Sequence, residues 1–230
     1  QFERIMNDSG FVTLTRLAAS EITGQDGKAG IIEKYFSLSQ TDTTCLKDIG
    51  LYPEEMRVGD DILCLHTLSD VEDLPGKVGT DCRFEKLSTD RSDCRLSFAA
   101  PVGVLLSCNH VYNQFIFIDD HAENLKNFEQ TARNMQSLSR YSRANQVNKE
   151  WIDEYLNEAH SKGLISVRCH CNVLIWADSE TALKGICNDV GSQLALMGCT
   201  PHRNTVDVPA LFWAGIPGAE GEFPAEESFP

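Results

Sequence analysis

The sequence predicts an α+β fold, a largely antiparallel sheet with helices packed on one face. Two observations lead there. Between residues 45 and 118 the apolar residues run mostly in strand-like stretches. After 119 the spacing turns helical, and the order becomes helix, helix, strand, helix, strand. Neither internal repeats nor a low-complexity block interrupts this order.

Each element has its own signal. Phe2, Ile5 and Met6 mark residues 1–7 as the end of a helix, and residues 11–14 (FVTL) are β-rich. Ile31, Ile32, Tyr35 and Phe36 give 28–38 helical spacing. ILCLHTL (62–68) sets Leu63, Leu65 and Thr67 against Ile62, Cys64, His66 and Leu68, the alternation of a strand. Residues 95–108 and 110–118 form a second β-rich block, interrupted by Pro101. Asp120, with Glu123 three residues on, makes a capping box, and Leu125, Phe128, Ala132, Met135 and Ser139 follow on one helical face. A second helix is expected from Asn148, with Trp151, Ile152, Tyr155, Leu156 and Ala159 as its apolar positions and Gly163 ending it. Residues 164–177 read as a strand. A helix from Asp178 or Ser179 carries Leu183, Ile186, Cys187, Val190, Leu194 and Met197 toward the core and stops at Gly198. An extended stretch (199–206) and an apolar turn or short helix (208–216) complete a domain spanning 1–217. A subdivision, if one exists, falls near 100–119. Residues 218–230, with four glutamates and two prolines, read as an acidic linker.

The chain has 230 residues and a net charge of −14, so its surface as a whole repels phosphate backbones. Its nine cysteines are odd in number, never form C-x-x-C, and sit mostly among apolar neighbours. That usage suits a reducing, cytoplasmic setting rather than a disulfide framework. There is no signal-peptide pattern and no apolar run near the ~18 residues of a membrane span. Both ends read as cuts from a longer protein.

Several stretches invite a chemical reading. SVRCHCNVLIW (166–176) holds three soft metal ligands in a row: Cys169, His170 and Cys171. Strand alternation puts the cysteines on one face and His170 on the other, with same-face residues ~6.6 Å apart along the strand. Two sulfurs on one zinc lie only ~3.8 Å apart. The expectation is therefore a core strand with no metal. Cys108 and His110 are spaced in the same way, which argues against a nucleophile pair. GQDGKAG (24–30) resembles part of a phosphate loop, yet Ile22 and Ala29 stand where G-x-x-x-x-G-K-[ST] needs glycine and a hydroxyl. No complete P-loop occurs in the chain. DRSDCR (90–95) reads as a salt-bridged turn.

Charge is unevenly spread. Segment 126–149 holds Lys126, Arg133, Arg140, Arg143 and Lys149 against Glu129 alone. Segment 54–73 holds seven acids against Arg57. Such asymmetry suits head-to-tail contact between copies or recruitment of a charged partner, although each segment alone also reads as a solvated face.

The strings FERIMNDSGF (2–11), AGIIEKYFSLSQ (29–40), KLSTDRSDCRLSFAAPVG (86–103), MQSLSRYSRANQVNKEWIDEYLNEAH (135–160), NDVGSQLALMGC (188–199) and NTVDVPALFWAGIPG with FPAEESF (204–229) resemble the TraG family of Bacteroidetes conjugative transposons. That family is similar to the VirB-type ATPases of type IV secretion. The resemblance runs along nearly the whole chain. It implies an N-terminal α+β region preceding a RecA-like motor, so ATP and magnesium would belong to the motor and no cofactor to this region. It also implies docking, to other copies and to inner-membrane channel components, at the cytoplasmic face of the membrane.

The expected function is thus a non-catalytic assembly and coupling domain for conjugative DNA transfer, with no catalytic, cofactor or metal residues. Arg140, Arg143 and Lys149 are the candidate docking residues. Two alternatives stand beside it: a thiol or metal-dependent enzyme using Cys169, His170 and Cys171, and a DNA-contacting module using the 126–149 basic segment.

Overall fold

The computed structural model describes residues 1–10, 13–39, 41, 47–52, 55–68, 71–76, 78, 82–85 and 87–223. Its helices are α1 (Phe2–Asp8), α2 (Ala19–Thr23), α3 (Ile31–Ser37), α4 (Ala100–Leu105), α5 (His121–Leu138), α6 (Arg143–Lys162), α7 (Glu180–Leu196) and α8 (Val208–Ala214). The strands are β1 (Ile49–Leu51), β2 (Met56–Val58), β3 (Asp61–Leu68), β4 (Cys82–Arg83), β5 (Arg95–Leu96), β6 (His110–Phe117), β7 (Arg168–Ala177) and β8 (His202–Asn204). The fold is α+β with a largely antiparallel six-stranded sheet in the order β1-β2-β3-β7-β6, β8 pairing with β3.

β3 is the hub. β2 pairs antiparallel with its first half (Met56 opposite Leu63) and β8 with its second (Arg203 opposite His66). Every residue from Ile62 to Leu68 is buried, so both faces of this strand are covered. β7 is buried in the same way from His170 to Ile175 except at its ends. Near-continuous apolar runs such as residues 62–65 and 173–175 are what a strand covered on both faces favours.

The chain separates into two compact units. The first comprises Gln1–Leu68, Glu72–Asn113 and Asn172–Glu227 and the second Ser69–Val71, Gln114–Cys171 and Ser228–Pro230. In the first, α7 packs on β3 through the buried Leu183, Val190 and Leu194. Tyr35 and Phe36 of α3 meet Phe212 of α8, with ring centroids 4.9 and 6.3 Å away, and the Tyr35 hydroxyl donates to the Phe212 carbonyl at 2.7 Å. In the second, α5 and α6 form an antiparallel hairpin whose inner seam includes Ala132, Ala159 and the Phe128–Tyr155 ring pair at 5.0 Å. Arg168 donates two hydrogen bonds to Asp119 (2.9 and 3.2 Å) near the hairpin's start.

Several elements differ from the sequence expectation. Pro101 does not merely interrupt a strand. It sits in the first turn of α4, where its missing N–H costs nothing and its fixed φ suits a helix. α6 begins at Arg143, five residues before Asn148, because Ser142 in an extended conformation supplies the entry. Trp151, one of the apolar positions that mark this helix, is 66% exposed. Thr13 and Leu14 belong to no strand, and residues 11–12 lie outside the described residues. Residues 164–167 precede β7 as exposed or half-exposed coil. Within 218–230, Glu220–Glu222 form a 3-10 turn and Phe223 is buried, while 224–230 lie outside the described residues. Of the capping box expected at Asp120, the cap itself forms, its Oδ1 accepting from the Glu123 N–H at 3.0 Å, and Gly163 ends α6 at φ +65°.

Candidate functional site

The Cys-His-Cys run lies at the start of β7. His170 is wholly buried on one face, against the Phe115 ring at 6.2 Å. Cys169 and Cys171 share the opposite face, and their thiols interact although their backbones are spaced as a strand requires. This contact draws the Cys169 thiol down to about 7, against the opposing effect of burial. Backbone spacing alone therefore understated how far the two side chains can converge. The three residues still do not gather into a three-ligand cluster among the described residues.

Three further motifs resolve as local structure. His110 Nδ1 lies 2.9 Å from the backbone carbonyl of Cys108, so the ring is engaged with main chain rather than paired with the thiol. Burial pushes that thiol up. In the 24–30 loop, the Gly30 N–H donates to Glu33 Oε2 at 2.9 Å. A carboxylate of the helix itself thus fills the place a phosphate would need. Gly24 and Gly30 are required by close approach: a Cβ on Gly30 would come within 2.2 Å of the Gly24 nitrogen. In the 90–95 turn Arg83 donates to Asp93 at 2.8 Å and Arg95 reaches the same carboxylate at 3.6 Å.

A different cluster is brought together by the fold. Cys64 and His66 point from one face of β3, and α7 lays Cys187 over that face. Their ligand-capable atoms all lie within 4.8 Å of one another, and the two sulfurs are 3.5 Å apart. Cys64 is 2% exposed and His66 7%, whereas Cys187 is half-buried. His66 Nδ1 is buried without a hydrogen-bond partner among the described residues. Contact with Cys64, aided by the Arg203 guanidinium, draws the Cys187 thiol down to about 7, while Cys64 is pushed up by that same contact and by burial. Burial and then the charge of Arg203 hold His66 below its ordinary value, keeping the imidazole neutral. Cys187 opens onto a cleft of about 460 Å³ lined by Glu55, Ile62, Glu180, Lys184 and Arg203.

Each half of this cluster was visible in the sequence. The alternation of 62–68 puts Cys64 and His66 on one face, and the periodicity of the 180–196 helix puts Cys187 on its inner side. Nothing local says that this helix covers that strand face.

The basic segment is the other candidate. Arg140 and Arg143 flank Tyr141 at the turn between α5 and α6, and all three side chains are exposed, Tyr141 by 84%. Neither arginine makes an ion pair among the described residues. Lys149 is instead tied to Asp153 one turn on, at 2.5 Å, and Arg133 reaches Glu129 at 3.5 Å. The acidic segment is partly neutralised: Glu55 pairs with Arg57, Asp61 with Lys47, and buried Asp73 accepts from His202 Nε2 at 2.7 Å. Asp60 and Glu72 remain exposed, and residues 54 and 70 lie outside the described residues.

A scan against protein-family models finds no match to the chain, and a search of curated proteins finds no relative.

Proposed function

We propose that the chain is a non-catalytic assembly and coupling domain of a conjugative type IV secretion ATPase, docking through the α5–α6 turn onto a second copy of itself. In this reading nucleotide chemistry belongs to a motor outside these 230 residues. The docked domains hand the motor's movement to inner-membrane channel components at the cytoplasmic face. The TraG-like strings motivate the biological setting.

The observation that carries the docking is the turn itself. It presents two arginines, without an ion pair among the described residues, and a tyrosine side by side in a chain of net charge −14. Arginine and tyrosine are the residues most enriched at the energetic centres of interfaces. A cationic tip on an acidic molecule is attracted to the remainder of another copy, which favours head-to-tail association and makes it salt-sensitive. Lys149, engaged by Asp153, contributes less than the two arginines.

The test is charge reversal. Arg140→Glu with Arg143→Glu is expected to abolish association of the purified chain at low salt while leaving its circular dichroism unchanged. Undiminished association would remove the turn from the interface. Retention of single-stranded DNA by the native chain, lost in the double variant, would assign the turn to nucleic acid instead. Incubation with ATP and magnesium is expected to release no phosphate, and turnover by the isolated chain would overturn the non-catalytic reading.

A further inference from the structure

We propose that Cys64, His66 and Cys187 form a binding site for a thiophilic divalent cation of the zinc class, with its fourth coordination position open to the adjacent cleft. The site lies wholly in the first unit and is independent of the α5–α6 turn, which belongs to the second.

Four observations carry it. First, two cysteines and one histidine are the donor set that zinc favours. Second, the geometry is close to a loaded site. Sulfurs sharing a tetrahedral zinc sit ~3.8 Å apart, given Zn–S bonds of ~2.3 Å, and here they are 3.5 Å apart, with the imidazole ligand atom inside 4.8 Å of both. Closing on a cation needs only small side-chain rotations. Third, His66 Nδ1 is buried with no partner among the described residues. A buried polar atom left unpaired is costly, so the ring gains from a partner on that side or from a metal that fixes its tautomer. Fourth, the three residues come from two rigid elements, a fully buried strand and a helix docked on it, which holds the donors in place before the cation arrives.

The surroundings define what the open position accepts. Two thiolates neutralise a divalent cation, and the cleft beside it sets Arg203, opposite His66 on β8, and Lys184 against Glu55 and Glu180, so the lining adds no net charge. With three donors from the protein, the fourth position is left to water or another small exogenous ligand. Three protein donors and an open position set the arrangement apart from closed structural zinc sites, in which all four ligands come from the protein.

The experiment uses the whole chain, purified reduced and without chelator. Zinc measured by elemental analysis is expected at about one equivalent per chain. Cobalt(II) added to chelator-stripped protein is expected to give a thiolate-to-metal charge-transfer band that zinc then bleaches. Cys187→Ala is the leading variant, because that side chain is half-exposed and its loss spares the core. It should weaken cobalt binding by at least about tenfold, the smallest loss expected even for a supporting residue. Cys169→Ser with Cys171→Ser should leave binding unchanged. His66→Gln should alter the cobalt spectrum if it binds cobalt at all. Absence of a charge-transfer band in the native chain would overturn the site. So would equal binding by Cys187→Ala, or loss of binding confined to the Cys169 and Cys171 variant.

Discussion

The sulfur atoms of Cys64 and Cys187 sit 3.5 Å apart across 123 positions of sequence. The contact exists because α7 docks on β3, and that docking rests on Leu183, Val190 and Leu194 beneath the helix. Leu194 is 1% exposed. Leu194→Ala should therefore lower unfolding stability by about 2–5 kcal/mol, the cost of a buried leucine's lost transfer energy and residual cavity. Urea denaturation measures it. A loss below about 0.5 kcal/mol, the range of surface substitutions, would mean that the helix is not seated as described.

The α3–α8 contact has a polar pin inside an apolar cluster. Tyr35 donates to the Phe212 carbonyl from a largely buried position, and burial holds its hydroxyl protonated far above the ordinary tyrosine range. Tyr35→Phe keeps the ring but leaves the carbonyl unpaired. A loss of about 1–3 kcal/mol is expected, the desolvation cost of an orphaned buried acceptor. Phe212→Ala should cost more, about 3–5 kcal/mol, because it empties the centre of the cluster.

Cys169 should be the reactive member of the Cys-His-Cys run. Hydrogen bonding with Cys171 draws its thiol down to about 7. Iodoacetamide labelling followed by mass spectrometry should show its rate climbing as pH passes about 7 and levelling above, since the thiolate is the nucleophile. Cys199, pushed by burial up to about 11, should stay unlabelled over the same range. Cys171→Ala removes the contact and leaves only burial, so the midpoint should move up, above the ordinary thiol value of about 8.5. An unmoved midpoint would mean that the two thiols do not interact.

The start of α5 depends on one side chain. Asp120 accepts from the Glu123 N–H at 3.0 Å, satisfying one of the free donors of the first turn. Asp120→Ala should cost about 1 kcal/mol, and Asp120→Ser much less, because a serine hydroxyl can take the same bond. Equal losses from the two variants would remove the cap from the explanation.

Features written in local pattern were legible in the sequence. The Asp120 cap, the αL glycine at 163 and the alternation of 62–68 each depend on residues a few positions apart. The class of fold follows from their order. Elements whose ends are set by backbone entry rather than by apolar period were less legible. α6 is entered at Ser142 while its period only becomes clear near Asn148, and Pro101 opens a helix in an apolar stretch that reads as strand. The Cys64–His66–Cys187 cluster was not legible as a unit. Its cysteines are far apart in the chain, and a C-x-H pair on a strand looks unfavourable when judged by backbone spacing, because that measure ignores the reach of an imidazole. The exposed arginines at 140 and 143 were visible as charge. Their difference from Lys149, which Asp153 engages, is a matter of side-chain pairing.

Salt-dependent sedimentation of the native chain beside Arg140→Glu with Arg143→Glu tests the assembly reading most directly. Native chain should associate at ~0.05 M salt and separate toward ~0.5 M, as the screening length shrinks to a few ångströms, while the double variant stays monomeric throughout. Association of both proteins to the same degree at every salt concentration, or a native chain monomeric at all of them, would contradict it.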